Sequence, residues 1–311
     1  LQNHFKSKTF DQKDLVIISG TPRGGTTWVN ELITIDENLF GLWEPLHPFA
    51  FRDFHQGDNR FWFDKYLPSS QENEELKQFV SELLQGNFIT ESILGNNAKF
   101  KSYDTCERLA IKFCRLNEIL PWFKSNFNTV KILQVDRNPL AVVSSQMKHG
   151  AWNISDDVIR NYKLRSTSYC RKFYNQFDHI IQKIETPEEF LTVQFCLSVI
   201  PRLNVKEDDR LKIVKYEDLV LNPIEEFTKV YDFFNLSVPN NLETIVRKPS
   251  STTKDGSNVL DDYSKQLTTW KKHLNADQTE RILAILKEFG FNNIGDVEYD
   301  LKTDLDINYF E

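Results

Sequence analysis

The residues best equipped for chemistry lie in Gly20-Thr21-Pro22-Arg23-Gly24-Gly25-Thr26-Thr27. The segment follows the apolar run Leu15–Ser19 and precedes Trp28, Leu32 and Ile35, which recur at helical spacing. A glycine-rich turn between a strand and a helix aims backbone N–H groups, with the helix dipole behind them, at whatever anion sits there. Glycines let the main chain approach phosphate-type oxygens closely. Thr26 and Thr27 add hydroxyls, and Arg23 adds a cation. The spacing fits the nucleotide pattern G-x-x-x-x-G-K-[ST], except that Thr26 stands in place of the lysine. In nucleoside triphosphatases that lysine reaches the terminal phosphates and the next hydroxyl holds magnesium. A loop whose cation precedes the glycine pair suits a donor with a single 5′-phosphosulfate and no metal. The rival is an ATP-dependent small-molecule kinase, for which Asp136 is the nearest magnesium ligand. The bland alternative is a connecting turn, which would leave Arg23 idle beside a dipole that repels it.

A second constellation is Val135-Asp136-Arg137-Asn138-Pro139, followed by Ser145. Arg137 falls at the end of a predicted strand, and Ser145 lies about two turns into a helix opened by Pro139. An arginine can clamp a phosphate with two parallel hydrogen bonds, and a serine hydroxyl can add a third. Taken alone, the pair reads better as a strand-end arginine facing a carboxylate and a serine on a helix surface. Ligands in open parallel sheets bind at strand carboxyl ends, where both this arginine and the loop belong.

The elements that must position these groups alternate. Leu15–Ser19, Leu39–Trp43, Leu109–Phe113, Val130–Val135 and Leu211–Lys215 read as strands. Helices are expected near 72–84, 118–127 and 139–149, throughout 155–200, from Pro223 to Phe234, and near 260–273 and 277–289. This is an α/β fold: a single domain over 1–311 with a central parallel sheet flanked by helices, P-loop NTPase-like, with helical insertions. The insertions, 52–105 and 155–200, are expected on the acceptor side. The net charge of −7, from 38 basic and 45 acidic residues, argues against a nucleic-acid partner. No apolar run approaches a membrane span. The 4 cysteines (Cys106, Cys114, Cys170 and Cys196) lack CxxC spacing, so free thiols are expected and no metal site.

Together these residues resemble the sulfotransferases that use 3′-phosphoadenosine 5′-phosphosulfate. The family's first motif appears as Pro22-Arg23-Gly24-Gly25-Thr26-Thr27-Trp28, implied to hold the 5′-phosphosulfate. Its second appears as Arg137-Asn138-Pro139 with Ser145, implied to hold the 3′-phosphate. Lys215-Tyr216-Glu217-Asp218-Leu219 and Trp270-Lys271-Lys272-His273-Leu274 are further landmarks. The cytosolic phenol and steroid branch carries a loop lysine and a catalytic histidine in Lys-Thr-His. Here the loop has Arg23, and the corresponding strand reads Ile111-Lys112-Phe113-Cys114-Arg115. Arg23 and Trp43-Glu44-Pro45-Leu46 look closer to the carbohydrate sulfotransferases, in which a carboxylate is a fitting base at this place.

The resemblance implies a sulfuryl donor that leaves adenosine 3′,5′-bisphosphate, no metal, and a small-molecule or glycan acceptor. A saccharide hydroxyl is the first choice; a lipid or polyketide-type hydroxyl is the alternative. Glu44, ending a strand expected beside that of the loop, is the expected base, with His47 the alternative. Arg23 would stabilise the transferring group. Lys112, a charge on an apolar strand, has either a task near the donor or an outward position on an edge strand. Trp28 stacks on the adenine, as the family favours, or packs the first helix. The loop 248–258 is a candidate lid with Lys254 reaching a phosphate. Phe49, Phe51, Phe54, Phe61, Trp62 and Trp152 either stack on sugar faces or pack the core. Glu217 and Asp218 read as structural. The expected location is cytoplasmic; a lumenal domain, or one excised from a longer protein, is the alternative because the chain begins at Leu1.

Overall fold

The computed structural model describes residues 9–47, 66–87, 105–150, 152–164, 171–251 and 264–305. Five strands form one sheet: β1 (Val16–Gly20), β2 (Leu39–Trp43), β3 (Arg108–Phe113), β4 (Lys131–Asp136) and β5 (Leu211–Lys215). All neighbours are parallel, in the order β2-β3-β1-β4-β5. The α/β parallel sheet is thus as expected. Glu44's strand is not beside that of the loop, contrary to expectation, because β3 lies between them. β3 is therefore interior, which removes the edge-strand alternative for Lys112.

β1 is buried along its whole length, as a β-branched strand covered on both faces should be. Its side chains alternate between two cores. Ile17 joins one that holds Leu76, Val80 and Leu83 of α2 (Glu74–Leu84) and Trp122 and Phe123 of α3 (Leu120–Asn126). Val16 and Ile18 join the other, with Trp28, Val29 and Leu32 of α1 (Thr26–Ile33) and Phe227, Val230 and Tyr231 of α7 (Pro223–Phe233). Between them come α4 (Pro139–Lys148), α5 (Pro187–Leu203) and α6 (Tyr216–Leu221), and α8 (Ala276–Glu288) ends the helical series.

The stretch 155–200 is not helical throughout. Helices at Asp156–Leu164, Arg171–Asn175 and Asp178–Ile181 precede α5. Thr186 and Glu189 form a reciprocal cap and Pro187 takes the first turn, so α5 starts afresh. Buried on Phe190, Leu191, Phe195 and Ile200, α5 packs with α4 and α8 in the third core. The expected helix at 260–273 is, where described, a short α-helix at Ser264–Leu267 followed by a 3-10 segment at Thr269–Lys272.

Successive strands β3 and β4 add to opposite sides of β1. That reversal opens a crevice over the strand carboxyl ends, the usual ligand position in such sheets. Among the described residues no helix is long and apolar enough to cross a membrane.

Candidate active site

The loop after β1 bends through two left-handed residues, Arg23 (φ 71) and Gly25 (φ 95). Gly25 begins α1 without a side-chain cap, so the N–H groups of the first turn are left for water or a ligand. The glycines are sterically required. A Cβ on Gly25 would lie 2.3 Å from Cδ2 of Tyr216, and one on Gly20 would lie 2.7 Å from both Thr26 Cγ2 and the Val135 carbonyl oxygen. Arg23 has no such freedom, and a non-glycine residue held there stores about 1–3 kcal/mol, a frequent mark of a working site.

Neighbours hold the strain. Arg23 Nε donates to Ser145 Oγ at 3.0 Å. Arg137 Nη1 donates to the Arg23 carbonyl at 2.9 Å, and Gln146 Nε2 to the Pro22 carbonyl at 3.0 Å. The Arg137 guanidinium lies 4.2 Å above the Tyr216 ring. Among the described residues neither Arg23 nor Arg137 ion-pairs with a carboxylate, and the buried Arg137 Nε has no hydrogen-bond partner. Burial and then the adjacent Arg137 lower the Arg23 pKa. Two neighbouring cations, open helix N–H groups and glycines that exclude side chains fit a polyanion.

The other end of the crevice is a buried ion pair. Glu44 follows β2 in the left-handed region (φ 49) and donates its N–H to the Lys112 carbonyl at 2.9 Å. Lys112 Nζ donates to Glu44 Oε1 at 2.7 Å and to Thr27 Oγ1 at 3.3 Å, joining carboxylate to loop. The Cys114 N–H donates to Glu44 Oε2 at 3.0 Å. Exposures of 4% for Glu44 and 1% for Lys112 mean that each charge depends on its partner. Burial pushes the Glu44 carboxyl up, but the charge of Lys112 and the Cys114 side chain pull it further down, below the ordinary value. Burial likewise opposes the Lys112 ammonium, while the Cys114 sulfur and Glu44 outweigh it and raise the pKa. Burial and the charge of Arg115 bring half-buried His47 down to about 4, so its imidazole is neutral. Its ring stacks near Trp43, centroids 6.4 Å apart.

The remaining predicted residues divide. Thr27 reaches Lys112, but the buried Thr26 hydroxyl faces Cys114 Sγ at 3.4 Å. Trp28, 9% exposed, meets Tyr216 and Phe227 edge-on, with centroids 5.8 and 5.1 Å apart, so it packs α1. Any stacking on a base is confined to the little ring surface these contacts leave. Trp152 packs against the third core. Asp136, the magnesium candidate of the kinase reading, is committed to a buried ion pair with Arg202. Lys254, Phe49, Phe51, Phe54, Phe61 and Trp62 lie outside the described residues. Cys106 is buried, and Cys114 and Cys196 are free, buried thiols; burial pushes Cys114 up to about 12.

The sequence reading missed Gln146, Arg115 and the two contacts of Tyr216. Cys114 is expected from sequence only as a free thiol, although it lies two positions from Lys112 and hence on the same side of an extended chain. Nothing local announces that Tyr216 covers Gly25.

The sulfotransferase domain family matches residues 13–289. The chain belongs to this family. This sulfotransferase is 22% identical to carbohydrate sulfotransferase 1 of Danio rerio over 348 aligned positions, covering 92% of the chain and 80% of that protein. Among solved structures it is similar to the sulfotransferase domain of the Synechococcus PCC 7002 olefin synthase (TM-score 0.46, 15% identity, 96% of this chain and 98% of that one). It is also similar to a mouse sulfotransferase complexed with PAP (TM-score 0.44, 14% identity, 92% and 88%). The chain is an enzyme that transfers sulfuryl groups.

Proposed function

We propose that the enzyme moves the sulfuryl group of 3′-phosphoadenosine 5′-phosphosulfate to a hydroxyl or amine of a saccharide or glycan. The observation that carries the donor is the pair of arginines, Arg137 donating to the Arg23 carbonyl and Arg23 to Ser145 of α4, without an ion-paired carboxylate among the described residues. In this reading Arg137 and Ser145 take the 3′-phosphate. The N–H groups at Gly25 and the start of α1, with Arg23 and Thr27, take the 5′-phosphosulfate. The donor supplies a sulfuryl group on a phosphate leaving group, and in-line attack on sulfur needs a base opposite that group.

Glu44 is that base, and His47 is the second candidate. Lys112 is shared between Glu44 and Thr27 of the loop. As negative charge grows on the leaving phosphate, Lys112 leans toward the loop and loosens its hold on Glu44. The carboxylate then regains basicity as the acceptor releases its proton. Arg23 stabilises the charge of the transferring group. The saccharide acceptor is supported by the carbohydrate sulfotransferase relative and by Glu44 itself. Screening saccharide, lipid and polyketide-type acceptors with labelled donor tests it. Label on saccharides supports the reading, and label confined to a lipid or polyketide hydroxyl replaces it.

A further inference from the structure

One buried polar network has no part in that mechanism. It joins the end of the chain to the second motif. Ile294 and Tyr299 form an antiparallel bridge, beyond residue 289 where the family match ends. Tyr299 Oη donates to Glu217 Oε2 at 2.8 Å, and both residues are buried. Glu217 Oε1 accepts the Asn138 N–H at 3.1 Å, at the start of α4. Asn138 Nδ2 donates to the Gly295 carbonyl at 2.8 Å, and Lys215 Nζ to the Tyr299 carbonyl at 2.8 Å. This segment is therefore fastened to Asn138, next to Arg137, and to the end of β5 and the start of α6.

Burial holds the Glu217 carboxyl above its ordinary value, against the opposing charge of Arg137. Yet both carboxylate oxygens are engaged elsewhere, by a main-chain N–H and by the phenol. Arg137 in turn uses Nη1 on the Arg23 carbonyl and leaves its buried Nε without a partner. We propose that Tyr299 is a positioning residue for the donor: its hydroxyl keeps the Glu217 carboxylate off Arg137, so that Arg137 meets the 3′-phosphate as an unpaired cation. This rests on the reading of Arg137 as a 3′-phosphate ligand. Burial, followed by the charges of Glu217 and Asp136, pushes the Tyr299 phenol well above its ordinary value, so it stays a donor. Without that hydroxyl, Glu217 Oε2 is a buried acceptor with nothing to accept, and turning toward Arg137 satisfies it.

The test is calorimetric titration of the whole chain with adenosine 3′,5′-bisphosphate and with adenosine 5′-monophosphate, alongside thermal melts. Tyr299→Phe is expected to weaken the bisphosphate about ten-fold and the monophosphate less than about two-fold, because only the former meets Arg137. In a Glu217→Gln background, where no carboxylate remains to capture Arg137, Tyr299→Phe is expected to change neither. Glu217→Gln alone is expected to bind the bisphosphate at least as tightly as wild type, which keeps the idea testable should Tyr299→Phe misfold. Equal weakening of both ligands, persistence of the effect in the Gln background, or a ten-fold loss in Glu217→Gln overturns the inference. A wild-type chain that does not prefer the bisphosphate overturns the donor reading, and the inference with it.

Discussion

Arg23 Nε donates to Ser145 Oγ at 3.0 Å across 122 positions of sequence, so the loop after β1 and the helix after β4 meet at one side chain. The Arg23 carbonyl also accepts from Arg137. A ligand that engages these groups meets one preassembled site. Arg137→Ala is expected to weaken adenosine 3′,5′-bisphosphate by about 1.5–3 kcal/mol, the usual loss for a charged hydrogen bond. Because Arg23 and Ser145 touch, the losses in Arg23→Ala and Ser145→Ala should not add in the double variant. Additive losses in a calorimetric cycle would show that the contact does not serve binding.

Gly25→Ala is expected to abolish bisphosphate binding and lower the melting temperature. The residue sits at φ 95, and a Cβ would meet the Tyr216 ring at 2.3 Å. Either Tyr216 moves, and the Arg137 stacked on it moves too, or the loop opens. Unchanged affinity in this variant would remove the loop from the donor site.

Glu44→Gln separates stability from chemistry. Removing one partner of a buried pair costs about 3–5 kcal/mol, because Lys112 is left unpaired. Replacing both residues by apolar ones (Glu44→Leu with Lys112→Met) should recover much of that loss in denaturant titrations. Neither variant should regain transfer, for which a base contributes about 10²–10⁴-fold. Near-normal turnover in a folded Glu44→Gln enzyme would pass the role to His47.

The pH dependence follows from the same shifts. His47 falls from 6.5 to about 4 in the folded chain, facing Arg115, Glu44 and Lys112. Between those values the unfolded chain binds the extra proton, so acidification across this window costs stability. His47→Gln should flatten the fall in melting temperature there. The Glu44 carboxyl is lowered, so its contribution is present above 4.5 and lost as pH falls through the folded value. Neither group titrates near neutrality, so kcat/KM should show no limb from them between about pH 6 and 8. A single-proton limb near 6.5 that disappears in His47→Gln would contradict this.

Much of this site is local in sequence, and that part was legible. The loop depends on glycines between a strand and a helix, and Pro139 opens α4 as a proline at a first turn should. The carboxyl-end position of Arg137 and Glu44 follows from strand ends alone. Strand order is tertiary, so periodicity could not reveal that β3 separates Glu44's strand from the loop. The pairing of Lys112 with Glu44 was hidden for the same reason, since it depends on β2 and β3 lying in register at Trp43 and Lys112. The start of α5 was written in Thr186-Pro187-Glu188-Glu189, a cap submerged in a long helical expectation.

Everything proposed for the donor depends on Arg23 and Arg137 building a site for a 3′-phosphorylated adenosine that needs no metal. Calorimetric titration of the wild-type chain in chelator, compared with titration by ATP and magnesium, probes that dependence without any substitution. Tight, metal-free binding of adenosine 3′,5′-bisphosphate and weaker binding of ATP with magnesium are expected. Preference for ATP with magnesium would overturn the donor assignment.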